Sequence, residues 1–328
     1  MYDEHSATDG FVKKITAKSR ITTLAGGVGA AKFIRGLIQR IPARRLTVIV
    51  NTGDDEYFYG LHVSPDLDTV TYTLAGVVNR TNGWGRAGES FHALEALASF
   101  YGKPWFNLGD RDLATHLYRS ERLRNGASLT DVTAEIARRL GVQAQVLPMS
   151  DDRVHTHVKL KGKPPIAFQS YFVKGRARGA VEAVELRGIE NARPAEGVIE
   201  GLTAAMAVIL APSNPFVSLG PILQLNGVRE SLKSVRPRVA AISPIVGGKT
   251  IKGPADVMMR GLGHEVSPLG VARLYQDFAG VFVLDQVDSR YLGSIERLGM
   301  KAIATDTIMA TTAKAARLAD VVLGAIGV

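Results

Sequence analysis

A chain of 328 residues carries 40 Lys and Arg against 31 Asp and Glu, a net charge of +9, with 46% hydrophobic and 22% charged residues; this is the balance of a globular protein with room for one sizeable α/β domain. There is no cysteine, which excludes disulfides, thiolate nucleophiles, zinc–thiolate sites and Fe–S clusters. The longest apolar runs, such as 204–211, fall well short of the roughly 20 residues that span a bilayer.

Residues 1–18 lack the apolar stretch of a secretory signal and read as a polar extension, with 19–328 as a single domain and the cytoplasm as its expected location. "RITTLAG" (20–26) reads as a buried strand. In the next segment Ala31, Ile34, Leu37, Ile38 and Ile41 have helical spacing, and Pro42 stops the helix. "RLTVIVNTG" (45–53) is a second strand, continuously apolar like those of a parallel sheet. Helices are predicted from Leu67 to about Val78 and over 89–102, 111–126 and 128–141, the last three stopped by Gly102, Gly126 and Gly141. From about 144 to 190 short, partly alternating runs predict an antiparallel β-rich inserted subdomain or an extension of the sheet. Helix–strand alternation then resumes to a closing helix. The expected architecture is a Rossmann-like three-layer α/β/α sandwich around a mixed sheet.

In such folds ligands meet the segments that follow the strands. After the first strand comes Ala25–Lys32, "AGGVGAAK". A dinucleotide fingerprint needs glycine where Lys32 stands, and the P-loop pattern does not fit. What remains is a glycine turn of Gly26, Gly27 and Gly29 whose backbone N–H groups open a helix and suit a phosphate or carboxylate. The later segments "APSNP", "SPIVGGK" and "LDQVD" are rich in small hydroxyls, Gly, Pro or acids, and Ser213 and Asn214 can bind phosphate oxygen or a base edge.

The second strand is followed by the densest acidic stretch, with Asp54, Asp55, Glu56, Asp66 and Asp68 in fifteen residues of a basic chain. An acidic surface turn is the plain reading; carboxylates converging on Mg²⁺, which leaves its other positions to water and phosphate, is the sharper one. His155 and His157 alternate on one strand face, and neither they nor the separate His92 and His116 have a third zinc ligand nearby. The basic residues are scattered, without a basic helix or interleaved aromatics, so anionic small molecules are expected as partners rather than nucleic acid or a membrane.

"GGVGAAKF", "NTGDD", "SPDLDTV", "LGDRDLATHL", "LPMSDDRVHTHV", "APSNPFVSLGPI", "SPIVGGKTIKGPA" and "YQDF" occur in that order over most of the chain. Together they resemble the 2-phospho-L-lactate transferase family of coenzyme F-420 biosynthesis. The resemblance implies a Mg²⁺-dependent transfer from a guanosine diphosphate ester of lactate or enolpyruvate to the terminal ribityl hydroxyl of the deazaflavin FO, with GMP leaving. It implies metal contacts for Asp54, Asp55, Asp66 and Asp68, with Asp55 or Asp68 accepting the hydroxyl proton. It puts the donor on Gly26, Gly27, Gly29, Lys32, Ser213, Asn214, Gly247, Gly248 and Lys249, and the acceptor on Asp68, Asn107, Asp110 and Arg111. Asn107 departs from a Lys expected in archaeal relatives. The resemblance leaves homodimerisation open. The alternative, an NAD(P)-dependent oxidoreductase, rests on the glycine turn alone.

Overall fold

Ile21–Ala25 (β1) is buried at every position, as is Leu46–Val50 (β2), and the two pair in parallel. These belong to a computed structural model that describes residues 20–328; the polar extension expected over 1–18 lies outside the described residues. Between the two strands runs helix Gly27–Leu37 (α1), which buries Ala30, Ala31, Phe33, Ile34 and Leu37. The α-helical stretch ends at Leu37, and a short turn carries the chain on to Pro42.

After β2 comes a small antiparallel hairpin, Glu56–Phe58 (β3) and Leu61–Val63 (β4), followed by helices Pro65–Leu74 (α2), His92–Tyr101 (α3), Asp110–Arg124 (α4) and Leu129–Arg139 (α5). Ser128 caps α5 by accepting from the Asp131 N–H, and Gly141 beyond its end has φ +76°, the start and stop expected from the sequence. The strands that follow are Gln145–Pro148 (β5), His155–Leu160 (β6), Ile166–Ala167 (β7), Val181–Arg187 (β8), Ala207–Leu210 (β9), Val239–Ile242 (β10), Ile245–Val246 (β11), Lys249–Thr250 (β12), Val281–Asp285 (β13) and Lys301–Thr305 (β14).

Seven of these strands form the central sheet in the order β14–β13–β10–β9–β1–β2–β5, and every pair is parallel. The mixed sheet expected from the sequence is therefore corrected. The physical reason lies in the connections: all but the one from β5 to β9 join a strand to a parallel neighbour, and helices cover both faces, so the inner strands are buried throughout. The order reverses direction between β1 and β9, which puts a topological switch point beside the first glycine turn. The β-rich stretch is narrower than 144–190. "AQVLPM" supplies β5, the edge of the main sheet beside β2, and only β7–β6–β8 form a separate antiparallel sheet. Two hydrophobic layers sandwich the main sheet, one centred on Phe33, Ile34 and Leu318 and the other on Leu202, Leu232 and Phe282. No helix among the described residues is long and apolar enough to cross a membrane.

Gly36 shows how tightly one layer is closed. A Cβ there would lie 2.3 Å from the carbonyl carbon of Ala315 in the closing helix Thr312–Ala325. Backbone cannot step aside as a flexible side chain can. Gly36→Val is expected to lower the unfolding free energy by about 3 kcal/mol, read as a fall in the urea midpoint at unchanged m-value.

Candidate active site

The acidic stretch is not a solvated turn. Asp54, Asp55, Asp66 and Asp68 are each less than a tenth exposed. The β3–β4 hairpin explains how residues so far apart in sequence converge: Phe58 pairs with Leu61 across Tyr59 and Gly60, both at positive φ, so the chain turns back at once. Pro65 then starts α2, and Asp66 and Asp68 fall in its first turn, where a helix N-terminus favours negative charge. Glu56 stays in the hairpin, paired with Val63, and is not one of the buried acids.

Asn51, fully buried at the end of β2, organises the centre. Its Oδ1 accepts from the Gly53 N–H at 2.9 Å, and its Nδ2 donates to Asp66 Oδ2 at 2.9 Å and to the Val217 carbonyl at 3.2 Å. Asp66 Oδ1 accepts from the Gly27 N–H at 2.7 Å, which binds the acidic centre to the glycine turn. Ser64 Oγ donates to Asp55 Oδ1 at 2.6 Å, and His62 Nε2 lies 3.4 Å from Asp55 Oδ2. Burial pushes the Asp54 carboxyl well above the ordinary range, helped by the charges of Asp66 and Asp55. Burial also raises Asp55, and it pushes Asp66 up to about 6 against the hydrogen bonds from Asn51 and Gly27. His62 goes the other way, down to about 3, through burial and the nearby Arg119 and His116, so its ring is neutral at neutral pH. Asp54 Oδ1 and Asp55 Oδ2 are buried without a hydrogen-bond donor. Carboxylates that repel one another out of water favour a cation; Asp54 and Asp55, each with an oxygen lacking a donor, could hold a hard one, with Asp66 beside them held by Gly27 and Asn51.

Asp68 has a different setting. Arg119 of α4 donates to both its oxygens, from Nη1 at 3.1 Å and from Nη2. Asp68, Asp112 and His116 also offer ligand atoms within 4.8 Å of one another, but Arg119 already supplies the positive charge there.

The glycine turn stands against two neighbours. A Cβ on Gly26 would meet Ser218 Cβ at 2.7 Å and Asp66 Oδ2 at 2.8 Å, and one on Gly29 would meet the Pro212 carbonyl oxygen at 2.4 Å. Gly27 has φ +73°. The turn after β1 thus packs directly on the "PSNP" loop after β9, across the switch point. Ser213 is buried there with its hydroxyl unpartnered. Asn214 folds its own loop, with Oδ1 accepting from the Phe216 N–H at 2.9 Å. Lys32 is close enough to Lys252 to lower that lysine, after the larger effect of burial. Gly29→Val is expected to lower the unfolding free energy by about 3 kcal/mol, because the side chain must force α1 and the Pro212 loop apart; the urea midpoint checks this.

The remaining predicted residues carry visible structural duties. Gly247 and Gly248, at φ +57° and +76°, make the two-residue turn between β11 and β12, and Lys249 pairs with Val246 beside it. The Gly247 N–H donates to the buried Asp288 at 2.7 Å. Asp110 caps α3 by accepting from the His92 and Ala93 N–H groups and from Ser90, contacts that hold its carboxyl below the ordinary range. Arg111 donates to the Ala87 carbonyl at 3.0 Å, and Asn107 is exposed just before α4. These hydrogen bonds tie Asp110 and Arg111 to the segment around the start of α3 rather than to the carboxylate centre.

Asn51, His62 and the polar face of α4 were not singled out from the sequence. The signal for α4 was present: Asp112, His116 and Arg119 stand at i, i+4 and i+7, one helix face, where a buried helix normally carries apolar residues.

Residues 21–322 match the family described as 2-phospho-L-lactate transferase CofD. The chain belongs to the CofD family. A phosphoenolpyruvate transferase of Streptomyces griseus is 43% identical over 295 residues, 88% of this chain and 93% of that protein. A 2-phospho-L-lactate transferase of Methanosarcina acetivorans is 41% identical over 302 residues, 92% and 97% of the two chains. A crystal structure of a UPF0052 family protein from Bacillus halodurans shares the fold, with a TM-score of 0.64 at 15% identity over 93% of this chain and 99% of that one. Membership of the CofD family makes this chain a transferase, and it supersedes the oxidoreductase alternative.

Proposed function

We propose that this CofD-family enzyme transfers a 2-phospholactyl or phosphoenolpyruvyl group from a guanosine diphosphate-linked donor to the terminal ribityl hydroxyl of the deazaflavin FO. GMP leaves, a phosphodiester forms, and the product enters coenzyme F-420 biosynthesis in the cytoplasm. The observation that carries the reading is the set of buried carboxylates Asp54, Asp55 and Asp66, raised by burial and leaving two oxygens without donors, beside a glycine turn at the switch point. Such a set fits Mg²⁺, a hard cation that takes few protein carboxylates and leaves room for phosphate. When bound, Mg²⁺ would neutralise charge on the donor diphosphate and the leaving phosphate.

The chain's own groups would do the rest. The Gly27 N–H is committed to Asp66, so the following amides of the α1 turn are the ones available to a donor phosphate. The buried Ser213 hydroxyl, unpartnered on the facing loop, would add a donor. Asp68 faces α4, the helix that opens at Asp110 and Arg111; there it would meet the acceptor hydroxyl and take its proton, with Asp55 the other candidate. Exclusion of water by this burial would protect the reactive donor from hydrolysis. Mass spectrometry of products from FO with each guanosine donor tests the reading: no phosphodiester of FO with either donor would sink it.

The attack is expected to be direct. No cysteine is present, His62 is neutral and tied towards Asp55, and His116 is held between Asp68 and Asp112, so positioning and charge stabilisation carry the reaction. A donor made chiral at the transferred phosphorus is expected to give inverted product; retention would require a covalent intermediate.

A further inference from the structure

The face that α4 turns to α2 is polar and almost wholly buried. Asp112 and Thr115 are each 8% exposed, Arg119 2% and His116 1%. Arg119 grips both oxygens of Asp68, and its Nη1 also lies 3.3 Å from His116 Nδ1 and 3.5 Å from the His62 carbonyl oxygen. His116 Nε2 stands 3.5 Å from Asp112 Oδ1, which accepts from the Tyr72 hydroxyl at 2.6 Å. One residue on, Ser120 Oγ accepts from the His62 N–H at 2.7 Å, and the His62 ring faces Asp55. Burial works against the charge on Arg119, yet Asp68 outweighs it and the guanidinium is held more firmly protonated than usual.

We propose that Arg119 is a positioning residue for the transfer: by clamping Asp68 and the His62 backbone to α4, it sets the acceptor-side carboxylate at a fixed place relative to Asp54 and Asp55. The proposal rests on the phosphodiester-forming reading above. Its geometry is specific to arginine. A guanidinium meets both carboxylate oxygens at once, whereas a lysine ammonium is a point charge that can satisfy the charge but not the fork. The same helix opens at Asp110 and Arg111, so one rigid element joins the Asp68 clamp to these two proposed acceptor-side residues. The spacing of Asp68, Asp112 and His116, which could suit a metal, is explained by the guanidinium already lying among them.

Arg119→Lys separates positioning from charge. It keeps the buried positive charge, so the melting temperature is expected to stay within a few degrees of wild type. The KM for the guanosine donor is expected to change less than twofold, while kcat/KM for FO falls about 10–100-fold, the usual cost of losing a group that orients an active-site ligand. Unchanged kcat/KM for FO overturns the proposal. So do equal losses for donor and acceptor, or a loss that merely tracks a fall in melting temperature, because each is what a structural ion pair would give. Arg119→Ala supplies the second arm: millimolar methylguanidinium is expected to restore FO turnover in part, and recovered thermal stability without recovered turnover counts against positioning. Wild-type turnover of FO is the control. Its absence with both donors falls on the transfer reading itself, whereas an active wild type matched by an equally active Arg119→Lys falls on this proposal alone.

Discussion

Asp54→Asn is expected to lose at least about 10²–10³-fold in turnover and, in the presence of a chelator, to unfold at a higher temperature than the wild type. The two effects have one cause. Asp54 is held out of water next to Asp66 and Asp55, and burial and their charges both oppose its ionisation. Without a cation, replacing it by a neutral residue of the same shape removes repulsion and relieves the centre. With Mg²⁺ present the order should reverse, since the wild type gains the binding energy of the cation and the variant gains less of it. Thermal melts of both proteins in EDTA and in Mg²⁺, beside turnover of FO, check the pair of outcomes. A variant that is less stable than wild type in EDTA would mean that Asp54 serves the fold rather than a cation.

The metal-free protein should also lose stability as pH rises, the reverse of most carboxylate behaviour. Asp66 has a folded value of about 6 against 3.8 for the free group, and Asp54 and Asp55 are shifted the same way. A group whose folded value is raised contributes its stability fully below the unfolded value and loses it as pH climbs through the folded one. For Asp66 alone that window runs from 3.8 to about 6, and the shift corresponds to about 3 kcal/mol. Urea unfolding in EDTA at pH 5 and pH 7.5 should show the decline, and Asp66→Asn should lessen it. Saturating Mg²⁺ should flatten it, because the cation competes with protons for the same oxygens. A wild-type slope that Asp66→Asn leaves unaltered would show that Asp66 does not titrate this way.

The first β–α–β unit was legible because its signals are local: five apolar positions at helical spacing between two continuous apolar strands, with glycines in the turn. The acidic residues were legible for a similar reason, as an excess of charge in one short stretch. Their burial was not, since it depends on a hairpin turn at Tyr59 and Gly60 that brings the two ends of that stretch together. Asn51 was hidden because its partners Asp66 and Val217 lie 15 and 166 residues further on. Arg119 was hidden because Asp68 is 51 residues before it. Whether the strand at 145–148 belongs to an insertion or extends the main sheet was open for a related reason: four residues carry no mark of which neighbour they will pair with, and the crossover through α5 decides it. Gly247 and Gly248 illustrate the opposite problem, because a hairpin turn needs those glycines whether or not a ligand visits.

The strand order has a kinetic consequence. β1 leaves the ribosome well before β9, yet the two are neighbours in the finished sheet, with Ile21 opposite Ala207. At about 5–20 residues per second of synthesis, that edge of β1 stays unpaired for roughly ten seconds or more while the intervening chain is made. An apolar strand with an open edge is a template for the wrong partner. The β1–β9 seam at the centre of the sheet can therefore close only long after β1 and β2 have been made, and β10, β13 and β14 can be added only after it. Slow, non-local closure of this kind favours folding assisted by chaperones and makes yield sensitive to the rate of expression and to temperature.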